Sequence, residues 1–524
     1  MKTVQKAASW LNVTLNRRAL VKLCLISGMI LGLFAHGFMF ANKLPNHDDL
    51  NCYMDFSEDA LILGRYVLYF FWKLFSNLST PWFNGILGVL FLSLASFFLC
   101  DAFEVRKAWR ALGVVLIMLT FPVNATIFGF MFEAHLKMLG ILFACCVPWA
   151  MAKLRGGWFW AAGFAFLATG IYQVYIMLAI GLLILLVMRR TVFSALEGKT
   201  GGRVWAFAVA CAAAAVAGLL VYIAGNWAMT HLAGVELRSY QGLDRMGALD
   251  VARLPEKILG AYTTVWDYYC ADMPVYTTKL MQLAQWAIVF AGAAGCAAAV
   301  IRCLRKRRPA HAVLLLLCAA LLPLAAAGIY FMGDDIERHQ ITLYPLILLL
   351  LLPLLCLDGR AAGLPPLPAP RRVCAAALAA ACLIYGFAFS MLSNQAYYRM
   401  HLAFTRAENF GNRLATRIES MEGYRSGMRL ATIGHLSQEE PLIYYEYELV
   451  NRFQPFLGVR NEFDYYWYDT GLWMLTRIVG LPMTPEYGWQ PETEEETALL
   501  ESMPCYPAEG SIVFIDDLCV VKFS

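Results

Sequence analysis

The chain has 524 residues, of which 60% are hydrophobic and only 15% are charged, and its mean hydropathy is +0.56. A soluble globular protein is close to half apolar and a quarter charged, so this composition excludes a soluble enzyme and indicates a polytopic membrane protein. The net charge of +4 arises from short basic loops between apolar runs, so we expect no nucleic-acid partner.

Eleven apolar segments are predicted to cross the bilayer as helices, because each supplies all or nearly all of the roughly 20 apolar residues that a span needs. The stretch 157–188 is charge-free but long for one helix, and the sequence Thr169-Gly170-Ile171-Tyr172-Gln173 offers a turn. We therefore divide it into two short helices; the alternative is one long, tilted helix. The predicted spans are 20–40, 82–100, 111–128, 135–152, 157–170, 172–188, 204–224, 280–301, 311–332, 340–357 and 373–393.

The distribution of Lys and Arg predicts the orientation of these helices. With the N-terminus in the cytoplasm, the inner connections carry 22 Lys and Arg against four acids, and the densest cluster lies at 302–308. An odd number of spans then places the C-terminus outside. We therefore expect a multi-pass protein of the bacterial cytoplasmic membrane, in contact with its lipids and with an extracytoplasmic C-terminal domain.

Two domains are predicted. Residues 1–393 form an all-α membrane body, with an outer insertion at about 225–279 that is too polar to span. Residues 394–524 form a small soluble α/β domain. Its predicted elements are a helix at 397–422, a strand at 428–434, aromatic helical stretches at 444–448 and 465–473, and a hairpin of 511–516 with 519–523.

Several familiar motifs are absent from the sequence. The 15 cysteines include no CxxC pair or Cys/His metal spacing, and there is no Walker loop, dinucleotide-binding glycine pattern or HExxH. Nucleotide use is therefore unsupported. Four cysteines are predicted outside, Cys52, Cys270, Cys505 and Cys519; Cys505–Cys519 is the most local disulfide option, although spacing alone does not determine the pairing.

The candidate functional residues are ionisable groups at the outer ends of spans, where charges are costly and often functional. The first are Asp48 and Asp49, which follow His47 just beyond the first span. If both carboxylates face one cavity, their repulsion raises one pKa and favours a general base. If the segment is extended they point apart, so that one could act as base while the other holds the loop. The alternative is a solvated loop or a helix start.

Two arginines are candidates for binding a phosphate, because a guanidinium offers planar, bidentate donors to that anion. Arg65 follows Gly64 in a stretch that could lie along the membrane interface, and Arg338 lies between the ninth and tenth spans. The alternative for each is snorkelling to the interface, or pairing with nearby acids such as Asp334 and Asp335. These two aspartates are themselves candidates for binding substrate.

Polar residues at other outer span ends complete the candidate set. Glu133 and His135 open the fourth span, and His339 follows Arg338; the histidines are candidates for proton transfer or phosphate binding. Tyr172 and Gln173 are predicted to hydrogen-bond a sugar or, alternatively, to cap a helix break.

The ordered set of these motifs resembles the bacterial O-antigen glucosyltransferase II family of membrane glycosyltransferases. The resemblance runs over most of the chain in scattered short motifs. They are Asp48-Asp49 after the first span, Gly64-Arg65, Tyr172-Gln173, and the closing segments 503–512 and 520–522.

This resemblance implies a GT-C type fold with an outward catalytic cleft and a soluble outer domain. It implies a polyprenyl-phosphate sugar, usually glucose, as donor, and a surface polysaccharide or its lipid-linked precursor as acceptor. Asp48 or Asp49 would be the general base in an inverting transfer, while Arg65, with Arg338 and His339, would bind the lipid phosphate. No cofactor is required, although a Mg²⁺ or Mn²⁺ ion between Asp and phosphate is compatible. A flippase and a cytoplasmic-side donor synthase would be partners.

Three other functions compete with this interpretation. Another lipid-linked sugar transferase or a polysaccharide ligase would share the fold and many of the residues. A transporter or flippase of the polysaccharide pathway would more often show internal repeats and charges buried in mid-span. An assembly protein without catalysis would be indifferent to loss of the paired aspartates.

Overall fold

The computed structural model describes residues 11, 13–46, 48–49, 57–75, 77–238, 251–272, 278–331, 340–356, 369–434, 467 and 471–523. The chain divides into two compact units. The membrane unit comprises Met1–Ala41 and Asp55–Asn394, and the C-terminal unit comprises Asn42–Met54 and Gln395–Ser524.

The described part of the membrane unit is helical. Short 3₁₀ or π segments lie at Val251–Arg253, Asp267–Asp272, Gly328–Phe331 and Gln340–Leu346. The α-helices are α1 (Arg17–Ala41), α2 (Ser57–Ile62), α3 (Tyr66–Phe75), α4 (Pro81–Ala102), α5 (Ala108–Thr120), α6 (Val123–Gly129), α7 (Met131–Lys153), α8 (Gly157–Ile171), α9 (Tyr175–Glu197), α10 (Gly201–Ala233), α11 (Leu254–Trp266), α12 (Lys279–Arg305), α13 (Pro309–Ala326), α14 (Ile347–Cys356) and α15 (Ala369–Glu419).

The predicted polytopic helical fold is confirmed, since a helix or a bent helix pair coincides with each of the eleven predicted spans. Within the described residues, eight helices are long and apolar enough to cross a membrane, and α5 with α6, bent by 44°, would make a ninth. The remaining two predicted spans correspond to shorter apolar helices, α8 and the segment Ile341–Cys356.

The stretch 157–188 forms two helices, as predicted, and not one long helix. Helix α8 ends at Ile171, and Tyr172 adopts an extended conformation with φ −154° and ψ 120° before α9 begins at Tyr175. Helix α10 continues beyond the predicted 204–224 to Ala233, where Gly234 ends it with φ +64°. Glycine is favoured there because left-handed backbone carries no Cβ penalty for it.

Helix α7 lies at the centre of the membrane unit. It packs against α4, α8 and α9, and most of its side chains are buried on all sides. Polar groups on this helix are therefore surrounded by protein, which is where charged residues within a membrane are tolerated.

The C-terminal unit contains a four-stranded sheet of order β2-β1-β4-β3. Strand β1 is parallel to both β2 and β4, and β3 pairs with β4 in an antiparallel hairpin. The hairpin turns at Asp516 and Asp517, and Asp516 has φ +52°; the predicted hairpin is confirmed. The strands are β1 (Arg429–Ile433), β2 (Thr484–Pro485), β3 (Ile512–Ile515) and β4 (Leu518–Lys522), with helices α16 (Gly471–Trp473), a π segment Met474–Val479 and α17 (Glu494–Ser502).

Alternation along the strands covers both faces of this sheet. Leu430 and Val521 belong to a core that contains Phe410 of α15, whereas Val520 on the opposite face packs with Leu500 of α17. Successive strand side chains point to opposite faces, so the sheet is buried between helices on both sides. The predicted strand at 428–434 and the predicted helix at 397–422 are confirmed, the latter as part of α15. The predicted stretch 444–448 lies outside the described residues.

The most local disulfide option is wrong. Cys505 and Cys519 are both free thiols, the first exposed and the second fully buried in β4. A side chain enclosed in the sheet core has no route to an exposed partner, which explains why nearness in sequence failed here. Cys270 is also free, and Cys52 lies outside the described residues.

Candidate functional site

The Gly64-Arg65 pair ends helix α2 in a Schellman turn. The Gly64 amide donates to the Leu61 carbonyl at 2.9 Å, and the Arg65 amide donates to the Ala60 carbonyl at 2.6 Å. Such a turn requires a left-handed residue at its centre, and Gly64 has φ +69°. The turn thus gives Arg65 a defined backbone position directly before α3.

Two side chains from distant parts of the chain hold this turn in place. Gln173, at the break between α8 and α9, donates its Nε2 to the Leu63 carbonyl at 2.6 Å. Tyr222 of α10 donates its hydroxyl to the Gly64 carbonyl at 2.9 Å. A Cβ at Gly64 would lie 3.2 Å from Gln173 Nε2 and 3.2 Å from the Tyr222 hydroxyl. Close approach, as well as backbone conformation, therefore favours glycine.

Arg65 and Lys137 both contact the ring of Tyr172. The Arg65 Cζ lies 4.8 Å and the Lys137 Nζ 5.4 Å from the ring centroid. Lys137 forms an ion pair with Glu133 one helical turn earlier on α7, and both side chains are about 95% buried. Breaking a buried pair leaves an uncompensated charge at a cost of about 3–5 kcal/mol. We call Arg65, Glu133, Lys137, Tyr172 and Tyr175 the Arg65 cluster.

Several polar atoms in and beside the Arg65 cluster are buried without a hydrogen bond to any described residue. Arg65 Nε and Glu133 Oε2 are buried and have no hydrogen-bond partner among the described residues. The same holds for the hydroxyls of Tyr175 and Tyr344, whose rings lie 6.3 Å apart. Buried polar groups normally form hydrogen bonds. These atoms without partners therefore mark a candidate site for a polar, anionic ligand.

Four of the predicted site residues meet at this place: Arg65, Glu133, Tyr172 and Gln173. Of these, Gln173 supports the turn through its amide, whereas Arg65 and Glu133 retain unused atoms. His135 is buried, but it lies two residues beyond Glu133, about 200° around the helix. It is thus on a different face of α7. The predicted residues Asp334, Asp335, Arg338 and His339 lie outside the described residues.

Three residues of this site were missing from the candidates drawn from sequence: Lys137, Tyr175 and Tyr222. Lys137 could have been found, because Glu and Lys four residues apart face each other on a helix and a charge inside a span is a functional candidate. The two tyrosines gave no comparable signal, since their contacts join helices far apart in sequence.

Asp48 and Asp49 belong to the C-terminal unit and differ in their surroundings. Asp49 is buried and forms a reciprocal cap with Asn46: its carboxylate accepts from the Asn46 amide at 3.0 Å, and its own amide donates to the Asn46 side chain at 2.9 Å. This is the geometry of a capping box at a helix start. Asp48 is partly accessible. His47 lies outside the described residues.

The described part of the chain contains no group of three His, Cys, Asp or Glu side chains that could bind a metal ion. The acids of the membrane unit that are best placed, such as Glu133, pair with a cation instead.

Comparison with known families assigns the chain. Residues 37–355, more than half of the sequence, match the family described as Glucosyl transferase GtrII. The chain belongs to this family. The match contains Asp48, Asp49 and Arg65, but the C-terminal motifs at 503–512 and 520–522 lie outside it. No curated protein and no solved structure matches the chain.

Family membership and the helices together establish the general activity. The protein is a multi-pass membrane glucosyltransferase of polysaccharide modification, which uses a sugar donor and an acceptor.

Proposed function

We propose that the protein transfers glucose from a polyprenyl-phosphate donor to a surface polysaccharide, or to its lipid-linked precursor, on the outer face of the cytoplasmic membrane. The observation that carries this proposal is Arg65: its Nε is buried without a partner among the described residues, and its backbone follows a turn that Gln173 and Tyr222 hold in place. A buried guanidinium N–H without a partner, on a backbone that is held in place, suits a phosphate oxygen.

Arg65 and Lys137 bind the donor phosphate in this proposal. The leaving group is a polyprenyl phosphate, on which negative charge grows as the bond to the sugar breaks, and fixed cations stabilise that charge in a water-poor site. Lys137 is balanced by Glu133, whereas no carboxylate of the described residues is within ion-pairing distance of Arg65. One positive charge is thus left to meet the phosphate.

The sugar is held by the remaining polar atoms of the cluster. Glu133 Oε2 accepts a hydrogen bond from a sugar hydroxyl, and the Tyr172 ring keeps both cations beside the bound donor. Asp334, Asp335, Arg338, His339 and His135 are further proposed contacts of donor and acceptor. A GT-C type fold is proposed from the family resemblance, and a lipid-linked donor used on the outer face calls for a flippase and a cytoplasmic-side donor synthase.

Asp48 is the proposed general base and Asp49 its positioning residue. The acceptor hydroxyl attacks the anomeric carbon with inversion, its proton passes to Asp48, and the bond to the phosphate oxygen breaks with its electron pair on the leaving group. The reciprocal cap between Asn46 and Asp49 engages one Asp49 oxygen, which supports giving the proton transfer to Asp48.

The test is a donor-consumption assay on purified protein with polyprenyl-phosphate glucose, mannose and arabinose, envelope polysaccharide as acceptor, and added EDTA in parallel. We expect the wild type to consume polyprenyl-phosphate glucose. The rate should fall by about 10²–10⁴-fold in Asp48→Asn. Arg65→Ala is expected to lose turnover as well, whereas Arg305→Ala, an exposed arginine of α12, is expected to retain it.

Each result bears on a separate part of the proposal. Full activity of Asp48→Asn would exclude it as the base, and full activity of Arg65→Ala would exclude the phosphate role. If only the mannose or the arabinose donor were consumed, glucose would be the wrong sugar in this proposal. Activity that survives EDTA would remove the divalent ion from the reaction.

A further inference from the structure

A cavity lined by basic residues lies at the C-terminal end of helix α7, opposite to the end that carries Glu133. It occupies about 370 Å³ between the C-terminal ends of α4, α7 and α9 and the start of α10. Lys153, in its wall, is twenty residues beyond Glu133 on the same helix, which is about 30 Å along the axis. That distance matches the hydrocarbon thickness of a bilayer, so this cavity and the Arg65 cluster lie at opposite membrane faces.

Cations exceed acids in the wall of this cavity. The two acids are already paired, Glu104 with Lys153 at 3.1 Å and Glu197 with Lys199. Arg189 donates to the Leu355 carbonyl at 2.9 Å, close to the end of α14. The lining cations are Lys153, Arg189, Arg190, Lys199 and Arg203, and the lining acids are Glu104 and Glu197.

Arg190 and Arg203 are the two lining cations for which that set of ion pairs and hydrogen bonds provides no partner. Within the described ranges, neither has a carboxylate within ion-pairing distance. Arg190 Cζ lies 3.7 Å above the ring of Phe207. Stacking of this kind occupies the face of the guanidinium and leaves the N–H groups at its edge for an anion.

Cations also surround the carboxyl of Glu104 in the wall of this cavity. Burial alone would raise the pKa of its carboxyl, but the hydrogen bond from Lys153 and the charges of Lys153, Arg189 and Arg106 hold that pKa below its ordinary value.

Apolar side chains adjoin these cations. Leu186, Phe193, Val204 and Phe207 line the same cavity. Helix α10, which forms one wall, also exposes apolar side chains along its length, among them Val209 at 64%. A phosphate that carries a hydrocarbon chain therefore fits this place better than free phosphate, because the cations meet the headgroup while the chain meets apolar surface.

We propose that this cavity binds the phosphate headgroup of an anionic membrane lipid, in the leaflet opposite to the Arg65 cluster. Basic residues at span ends often serve only to orient a membrane protein. Here, however, two arginines from different helices, neither of them in an ion pair with a described carboxylate, converge on one cavity with an apolar wall, which orientation alone does not require.

The experiment is a binding titration of the intact protein, stripped of lipid in an uncharged detergent and followed by native mass spectrometry. The probes are short-chain phosphatidylglycerol, phosphatidylcholine, a short polyprenyl phosphate and inorganic phosphate. The test variant is Arg190→Gln with Arg203→Gln. The matched control is Arg305→Gln with Arg307→Gln. Both arginines are exposed and lie outside this cavity, and the two substitutions remove the same charge as those of the test variant.

We expect one saturable site for an anionic lipid, and the tighter of phosphatidylglycerol and polyprenyl phosphate identifies its source. Affinity should fall about a hundredfold in the test variant, since each charge-assisted hydrogen bond lost costs about a factor of ten. The control should stay within about twofold. Arg203 is exposed at the start of α10, so Arg203→Gln alone is expected to keep the fold and lose about tenfold.

Three outcomes would overturn the proposal. The first is equal weakening in the test and control variants, which would indicate general surface charge. The second is no preference for anionic lipid over phosphatidylcholine. The third is binding of inorganic phosphate as tight as that of the lipids, which would remove the role of the hydrocarbon chain.

Discussion

Replacing Gly64 by alanine is expected to damage the membrane unit at one point, the turn that presents Arg65. The backbone there has φ +69°, and an alanine in the left-handed region costs about 1–2 kcal/mol. The added Cβ would also lie 3.2 Å from both Gln173 Nε2 and the Tyr222 hydroxyl. Both groups would have to move by a few tenths of an ångström, and both donate to carbonyls of this turn.

The magnitude follows from these contacts. A typical hydrogen bond contributes about 1 kcal/mol net, so weakening those from Gln173 and Tyr222 adds up to about 2 kcal/mol to the backbone cost. We expect a total of about 1–4 kcal/mol. Because this cost falls on the turn that precedes Arg65, we expect donor turnover to fall by more than tenfold, accompanied by a lower unfolding temperature.

The assay combines thermal unfolding in detergent with donor consumption. The matched control is Gly163→Ala in α8, where a new Cβ meets nothing within 4 Å and the φ angle is ordinary. Alanine there should be neutral or stabilising by up to about 1 kcal/mol. The reasoning would be refuted if Gly64→Ala kept the wild-type unfolding temperature and turnover, or if Gly163→Ala lost as much.

Three further predictions concern other parts of the chain. Lys137→Met should destabilise the membrane unit by about 3–5 kcal/mol because it strands the buried Glu133, and adding Glu133→Gln should recover much of this in thermal unfolding. A maleimide at pH 8 should modify exposed Cys505 in the native protein but not Cys519, because that side chain is enclosed and burial raises its pKa to about 12; equal labelling would contradict the sheet packing. Phe410→Ala should cost the C-terminal unit about 3–5 kcal/mol, seen as earlier proteolysis of that unit.

Much of the architecture could be predicted from sequence because its signals are local. A run of apolar residues crosses a membrane wherever it occurs, so all eleven predicted spans correspond to helices. The hairpin at Asp516 and Asp517 could be predicted for the same reason, since alternating apolar residues on both sides of two turn residues determine it. Helix length was less accessible, and α10 continues past its predicted end until Gly234 stops it.

The site shows where local signals stop. Sequence identified Arg65, Glu133 and Tyr172 as separate candidates, and the spacing of four residues pairs Lys137 with Glu133. Nothing in the spacing indicates that Lys137 also contacts the Tyr172 ring. Sequence allowed one of Asp48 and Asp49 to hold the loop, but it did not indicate which one, because adjacent carboxylates look alike until one of them caps a helix start.

Sequence alone therefore determined the membrane class, the approximate places of the apolar helices, and the resemblance that the family match supports. Tertiary structure alone decided that the Gly64 turn is held by Gln173 and Tyr222, residues that are more than a hundred positions away in the chain. The physical reason is that hydropathy and turn preference depend on neighbouring residues, whereas the position of a side chain in a site depends on helices that meet only when the whole unit packs.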